Sequence, residues 1–314
     1  LRAWAPARRM KEIGEYGKKA VLAIEAEKPS RDEEPPTLLI NKRTAASGQD
    51  LVSFYSTPNY WLWDPSAIVF YAFALFFAMI VSDAAYGAVL GVILALLWRK
   101  MGKSDGGKRL RLLSTVLVAA TIIYGILVGS YFGIAPPPHS FLGKFKILSV
   151  EDYGTMMTIS IMIGVTHLIV ANIGEMWSRR WSLVMLASLG WICVFGGGTI
   201  LWQNFAGSLK GPIWQSAGIG CGIAGLALII LFTKTKGPIW KRLLGGLQGL
   251  TRLSGAFGDT LSYLRLFALG LASASLATTF NDLGAQVGES VPGIGFLLSI
   301  LIILFGHGLN LVLA

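Results

Sequence analysis

Long apolar runs separated by short polar loops make up the chain from Ser66 to its last residue, Ala314. A run of about 20 apolar residues lets a helix cross a hydrocarbon layer about 30 Å thick. The pattern therefore predicts an all-α polytopic membrane domain over residues 66–314, with about eight membrane helices, the last two long and tilted. Six spans have clear limits: Leu112–Phe132, Thr155–Glu175, Ser182–Trp202, Ile213–Phe232, Gly255–Leu283, and one from Pro292 that we expect to continue beyond Ala314.

The first apolar segment, Ser66–Leu97, allows two arrangements. Its 32 residues form either one tilted helix of roughly 48 Å or two short helices. The loop that follows, 98–111, carries six Lys and Arg residues, so we expect it on the cytoplasmic side. If the N-terminal region is also cytoplasmic, the segment crosses twice or not at all. We therefore predict a hairpin of two short, tilted helices that turns at Asp83–Gly87.

Basic residues in the later loops predict the orientation of the whole domain. Loops 98–111, 176–181 and 233–254 together carry thirteen Lys and Arg residues, whereas the loops between them carry three. Because basic loops stay on the cytoplasmic side, the N-terminal side is predicted to be cytoplasmic. The same asymmetry supports the hairpin, since a single crossing at residues 66–97 would invert every later loop.

Residues 1–65 mix charged and apolar positions and precede the membrane domain. Residues 1–35 are predicted to be the end of a cytoplasmic domain and its connector, with the helix-breaking run Pro29–Pro36 as a linker. Residues 36–65 are predicted to be an interfacial entry segment, because aromatic residues accumulate there as they do at membrane surfaces. The opening residues have no signal-peptide pattern, and we expect more of the cytoplasmic domain before Leu1.

The composition excludes several classes of function. Hydrophobic residues make up 54% of the chain and charged residues 14%, against about 25% charged in soluble domains. The net charge of +10 lies in loops beside apolar runs, so it indicates membrane orientation and not nucleic-acid binding. Cys193 and Cys221 fall in apolar segments and are predicted to be packing residues. The G-x-G-x-x-G match at 220–225 lies inside a span, where glycines pack helices. We expect no cofactor and no metal.

Arg265 is the only charged residue between Asp259 and Asp282, inside the predicted helix Gly255–Leu283. It lies about 15 Å from the start of that helix, near the middle of the hydrocarbon layer. An arginine there costs about 2.5–3.5 kcal/mol, so it usually faces a partner or water. Its predicted helix face is lined by small residues: Gly258, Ser262, Ala268, Ala272 and Ser273. This face favours a carboxylate on a neighbouring helix or subunit; the alternatives are pairing within its own bundle or extension to the membrane surface.

Other polar residues at or near membrane depth are candidates for an ion path. Histidine and carboxylate groups titrate within reach of neutral pH when their surroundings shift them. The candidates are Asp83, His167, Glu175, Asp259, Ser262, Tyr263, Ser273, His307 and Asn310. Three simpler interpretations stay open: Asp83 as a helix cap, Glu175 as a surface carboxylate, and His307 with Asn310 as an interhelical hydrogen-bond pair.

Five separated motifs resemble a known family when taken in order. They are Pro35-Pro36-Thr37 with Asn41, Tyr60 with Asp64-Pro65, Asp83-Ala84-Ala85-Tyr86-Gly87, Ser262-Tyr263-Leu264-Arg265-Leu266 with Ala268-Leu269, and Gly306-His307-Gly308-Leu309-Asn310. The chain is similar, from about residue 35 to its end, to the membrane half of the a/I-type stator subunit of V-type and archaeal-type rotary ATPases. It departs from many eukaryotic relatives by Ser273, where they carry histidine. The family's second arginine is expected beyond Ala314.

The resemblance implies a stationary ion-conducting subunit with no nucleotide site. Arg265 would face the carboxylates of a rotating proteolipid c/K/L ring and separate two aqueous half-channels. The implied partners are that ring, peripheral stalk subunits of the E/G type bound through the N-terminal domain, the soluble V1/A1 motor and the bilayer. A prokaryotic plasma membrane is expected rather than a vacuole.

Two other functions remain compatible with the residues alone. One is a proton- or anion-coupled secondary transporter with Arg265 as the counter-ion of its substrate, although the inverted repeats of such transporters are not evident. The other is a structural membrane anchor without an ion path, in which Arg265 only holds subunits together.

Overall fold

The computed structural model describes residues 2–30, 32–42, 44–235 and 237–313. Leu1, Arg31, Arg43, Lys236 and Ala314 lie outside the described residues, and so do the parts of the predictions that used Arg31 in the linker, Lys236 in a basic loop and Ala314 at the last helix. The chain is about 72% helical, and no strand occurs in the described ranges, so the all-α prediction is confirmed.

Twelve α-helices occur in these ranges. They are α1 (Met10–Lys19), α2 (Thr44–Tyr55), α3 (Ser66–Val81), α4 (Ala84–Met101), α5 (Asp105–Val128), α6 (Tyr153–Ser178), α7 (Met185–Phe205), α8 (Pro212–Phe232), α9 (Ile239–Leu250), α10 (Arg252–Ser262), α11 (Leu264–Ser290) and α12 (Gly295–Leu313). Seven helical stretches of the described chain, with α9 to α11 counted as one, are long and apolar enough to cross a membrane. Together with the shorter α3, they match the eight predicted. The chain is an integral, multi-pass membrane protein.

The segment 66–97 forms two helices with a reversal between them, as predicted. Ser82 ends α3 in a left-handed conformation (φ 49°, ψ 24°), and Asp83 caps the first turn of α4. Both helices pack against α5: Met79, near the end of α3, and Val128, at the end of α5, share one core cluster. The turn lies at Ser82–Asp83, the upstream edge of the predicted range.

Helix α2 was not predicted from the sequence, and it ties the entry segment to the start of α5. The Ser47 hydroxyl donates to the Arg109 carbonyl (2.9 Å), and Arg109 pairs with Asp50 (2.7 Å). Gly48 approaches the backbone of Ser66 so closely that a side chain would not fit. Helices α3 and α5 therefore begin at the same end of the bundle, which we call the basic end because residues 99–111 lie there.

Helix α5 begins at Asp105, seven residues before the predicted limit. Ser104 caps it by accepting a hydrogen bond from the Gly107 N–H (3.0 Å), so Lys108 and Arg109 belong to its first turns and not to a loop. Helix α9 likewise lies inside the predicted loop 233–254. Basic residues can lie in the first turns of α5 and in α9, because their charged heads reach water while their long stems cover apolar surface.

Glycines bring α7 and α8 into close contact. A side chain on Gly190 would collide with Gly225, and one on Gly197 with Gly218. This is the backbone approach that small residues permit between membrane helices. The Cys221 thiol donates to the Cys193 carbonyl on the facing helix (3.3 Å), and both cysteines are free. Both cysteines therefore lie where α7 and α8 face each other.

The helix predicted at Gly255–Leu283 is divided at Tyr263, where α10 ends and α11 begins, although the two form one apolar stretch. The Tyr263 N–H donates to the Thr260 carbonyl (3.3 Å) and the Leu266 N–H donates to the Tyr263 carbonyl (3.0 Å). These three-residue spacings tighten the turn relative to an α-helix. The physical reason is that the Tyr263 ring is held against Gly164 of α6, where no side chain would fit. Arg265 is therefore the second residue of α11 and does not lie in the middle of one long helix.

Candidate functional site

Arg265 lies on the exposed surface of α11, next to the break at Tyr263. Its guanidinium has one long hydrogen bond, from Nη2 to the Ser262 hydroxyl (3.5 Å). In the described part of the chain no carboxylate lies within ion-pairing distance of it. An arginine cannot lose its proton in a protein, so this charge is permanent.

The small-residue face predicted around Arg265 is present apart from one position. Its exposed members are Gly258, Ser262, Ala268 and Ala272. Ser273 is buried at 6% exposure, which corrects its predicted place on this face. It packs toward α12, because Asn310 of that helix donates to its carbonyl oxygen (2.8 Å). The exposed face is thin enough for another helix to approach Arg265 closely.

Glu175 and Asp259 form no ion pair with Arg265. Glu175 is in the last turn of α6 and pairs with Arg179 (3.0 Å), with both side chains about two-fifths exposed. Exposed pairs of this kind contribute little to stability. Asp259 is exposed on α10, six residues before Arg265.

A histidine–tyrosine pair joins α6 to the break before Arg265. His167 Nδ1 and the Tyr263 hydroxyl are 2.7 Å apart. The ring of Phe76 packs edge-on against both rings, at centroid distances of 5.4 Å and 5.6 Å. Gly164, one turn before His167, leaves the space that the Tyr263 ring occupies. We call His167 and Tyr263 the inner pair, because α10 leads to it from the basic end.

A second polar group joins α4, α11 and α12. The Asn310 amide donates to the Tyr86 hydroxyl (2.9 Å), and that hydroxyl lies 2.7 Å from His307 Nδ1. His307 Nε2 lies 3.0 Å from Asn281 Oδ1, and the Asn281 amide donates to the Phe132 carbonyl (2.8 Å). We call Tyr86, Asn281, His307 and Asn310 the outer cluster.

The hydrogen bonds of the outer cluster run in one direction when His307 is neutral. The Tyr86 oxygen accepts from Asn310, so its single proton is free to go to His307 Nδ1. Nε2 then carries the ring proton and donates it to Asn281 Oδ1. The cluster is a continuous chain of donors and acceptors around one titratable ring.

Asp83 supports the outer cluster from the turn before α4. It is buried at 3% exposure and accepts hydrogen bonds from the N–H groups of Ala85 (2.9 Å) and Tyr86 (3.1 Å). Its second oxygen accepts from the Ser130 hydroxyl (2.6 Å) and the Gly133 N–H (3.0 Å). Asp83 thus caps α4 and fixes the loop whose Phe132 packs on the rings of the cluster.

Phe132 has a positive φ of 53°, which is unfavourable for a side chain of its size. The contacts of Asp83 with the residues beside it and the hydrogen bond from Asn281 hold this conformation. Strained residues persist where the surroundings fix them, and they cluster at functional sites.

Several buried hydroxyls have no protein hydrogen-bond partner within the described ranges. They are those of Ser66, Tyr124, Tyr131, Ser160 and Ser273. Ser273 lies beside the outer cluster, and Tyr124 shares a core cluster with Leu266, next to Arg265. Buried hydroxyls without protein partners usually bind ordered water.

Arg265 lies between the two polar groups along the path of α10 and α11. Tyr263 of the inner pair comes two residues before it, and Ser273, bonded to the outer cluster, comes eight residues after it, or about 12 Å along a helix. The structure therefore brings together His167 with Tyr263, and Ser273 with His307 and Asn310.

Tyr86 and Asn281 complete the outer cluster but were not predicted as site residues. Tyr86 belongs to the motif Asp83-Ala84-Ala85-Tyr86-Gly87, but no function was predicted for its side chain. Asn281 gave a weaker signal, a polar residue next to Asp282 near the end of an apolar helix. Both side chains contact His307, so their place in the cluster depends on the packing of α12.

Known proteins align with this chain over its full length. The chain is 29% identical to the A-type ATP synthase subunit I of Methanocaldococcus jannaschii, with 100% of this chain and 50% of the relative aligned. It is 29% identical to the A-type ATP synthase subunit I of Pyrococcus abyssi (98% and 47%) and 27% identical to the V-type ATP synthase subunit I of Chlamydia pneumoniae (99% and 55%). The chain spans about half the length of these curated relatives. No family model matches it.

Proposed function

We propose, from the premise that this chain is a homologue of subunit I of the A-type and V-type ATP synthases, that it is the stationary ion-conducting subunit of a rotary ATPase. In this role it would couple ion movement across the membrane to rotation of a ring of proteolipid subunits. The single observation that carries the proposal is Arg265, an exposed cation without a described carboxylate partner, placed between two polar groups.

Arg265 acts as a fixed charge and does not carry protons. A carboxylate of the ring that approaches it across the thin face of α11 is favoured in its ionised form, because an opposite charge nearby stabilises the anion. The carboxyl group therefore releases its proton before it passes Arg265 and takes up another after passing. The same charge repels a proton that would otherwise move directly between the two sides, so transport requires rotation.

The inner pair and the outer cluster are suited to line the two half-channels. On the basic side, Glu175 and then His167 lie along α6, and Tyr263, the hydrogen-bond partner of His167, lies two residues before Arg265. On the opposite side, His307 can take up a proton at Nδ1. The Tyr86 hydroxyl hydrogen then rotates away, and the Tyr86 oxygen accepts a hydrogen bond from Nδ1.

Orientation and partners follow from the same proposal. The basic end would be cytoplasmic, so residues 1–35 would lead from a cytoplasmic domain that contacts peripheral stalk subunits. The ring would contact α11 at Arg265, and the soluble motor would supply or use ATP. The membrane would be a prokaryotic plasma membrane.

The test is ATP-driven proton pumping by the complete complex in vesicles, with Arg265→Gln compared with the wild type. Arg252→Gln is the matched control, because Arg252 is exposed on the same helical path, at the start of α10. We expect Arg265→Gln to assemble with ring and motor subunits and to abolish pumping, while Arg252→Gln pumps normally. Pumping near the wild-type rate with Arg265→Gln would refute the proposal. Loss of assembly in that variant would favour the anchor function instead.

A further inference from the structure

An apolar groove opens on the bundle surface near the basic end, between α3, α4 and α5. Its volume is about 460 Å³. Its walls include Phe77 of α3, Leu90 and Leu94 of α4, and Ser114 and Val118 of α5, and Lys100 lies at one end. This volume falls in the range of sites that hold small organic ligands. Among the described residues that line the groove, Lys100 is the only charged one.

The groove has the length of one membrane leaflet. From Leu90 to Lys100 the wall formed by α4 spans ten residues, or about 15 Å. This is half the thickness of a hydrocarbon layer of about 30 Å. Its rim residues Leu97 and Leu110 are 44% and 55% exposed, so the groove is open along its side to a lipid molecule.

Lys100 gives one end of the groove a positive charge, whereas three nearby basic residues already have partners. Arg109 pairs with Asp50, Lys108 pairs with Asp105, and Arg111 stacks on Trp98 at 4.4 Å. Lys100 takes part in no ion pair among the residues described. An ammonium group on a flexible stem, at the level where the apolar wall ends, is placed to meet a phosphate.

We propose that this groove binds an anionic phospholipid, with one acyl chain against Phe77, Leu94 and Val118 and the headgroup phosphate at Lys100. The apolar wall excludes a soluble anion as the occupant, and the single cation at its end selects a negative headgroup over a zwitterionic one. Lys100 lies outside both polar groups around Arg265. The proposal therefore requires only that the chain spans a membrane and is independent of its role in ion transport.

The experiment is lipid retention by the purified complete complex, measured by native mass spectrometry after exchange into phosphatidylglycerol or phosphatidylcholine with the same chains. The wild type should retain more phosphatidylglycerol than phosphatidylcholine. Lys100→Gln should lower that preference by about fivefold, the equivalent of about 1 kcal/mol for one cation near an anionic surface. Lys103→Gln is the matched control, because Lys103 is exposed three residues later, in the turn between α4 and α5, and does not line the groove.

A second variant tests the groove itself. Ser114→Phe should fill it and reduce retention of both lipids, whereas Thr115→Phe on the exposed side of α5 should reduce neither. Equal retention of the two lipids by the wild type would overturn the headgroup assignment. Retention that is unchanged in both Lys100→Gln and Ser114→Phe would overturn the site. A crosslink from Leu97 to another subunit of the assembled complex would show that protein, and not lipid, covers the groove.

Discussion

Replacing Tyr86 by phenylalanine removes one oxygen atom from the outer cluster and leaves the ring in place. The ring contacts of Tyr86 with Phe132 and His307, at 5.3 Å and 5.7 Å between centroids, remain possible for phenylalanine. Two hydrogen bonds are lost, one from Asn310 (2.9 Å) and one with His307 Nδ1 (2.7 Å). Asn310 keeps its bond to the Ser273 carbonyl (2.8 Å), whereas His307 Nδ1 loses its described partner.

The size of the effect follows from these losses. Hydrogen bonds between membrane helices contribute about 0.6 kcal/mol on average, and a buried group left without a partner costs about 1–3 kcal/mol. We therefore expect Tyr86→Phe to lower the free energy of unfolding by about 1–2 kcal/mol. If the outer cluster relays protons, pumping should fall at least about tenfold, because positioned proton donors and acceptors typically contribute about 10²–10⁴ in rate.

The assay is ATP-driven pumping by the reconstituted complex, with stability followed by denaturant titration. Tyr71→Phe is the matched control, since Tyr71 lies on the neighbouring α3 and is 60% exposed. A Tyr86→Phe complex that is less stable but pumps like the control would show that the outer cluster only holds helices together. A variant equal to the control in both measurements would refute the hydrogen-bond chain as well.

The course of the membrane helices was predictable because it depends on properties local to the chain. The length of each apolar run determines whether it can cross a bilayer, and loop charge determines its direction, which was sufficient to predict the hairpin at Ser66–Leu97. Helix limits were less accurate. Helix α5 begins at Asp105 because Ser104 caps it, and capping continues a helix through basic residues that hydropathy assigns to a loop.

The break at Tyr263 could not be predicted, because its cause lies on another helix. Ser262 to Leu266 has no proline or glycine, and its apolar pattern continues a helix without interruption. The turn tightens where Tyr263 fits against Gly164 and reaches His167, which is 96 positions away. Arg265 itself was evident from the sequence, since one cation in an apolar segment needs no tertiary information.

In the outer cluster, too, single residues were predictable from the sequence but their partners were not. His307 and Asn310 were candidates because polar residues in apolar helices are costly. Their partners were not evident, since Tyr86 and His307 are 221 positions apart. The burial of Ser273 was also unpredictable from helical spacing, because it depends on which side of α11 the last helix packs against.

Two further substitutions test how the site is supported. Gly164→Ala should displace the Tyr263 ring, lower stability by about 1–3 kcal/mol as overpacking does, and reduce pumping, whereas Gly154→Ala in the first turn of the same helix should change neither. Asp83→Ala should lower the free energy of unfolding by about 2–4 kcal/mol in denaturant titration, because it removes a helix cap and leaves buried donors without an acceptor. Asp152 caps α6 from an exposed position, so Asp152→Ala should cost less. Equal losses for the two aspartates would show that the buried bonds of Asp83 add nothing to a simple cap and that the loop beside the outer cluster is held by other contacts.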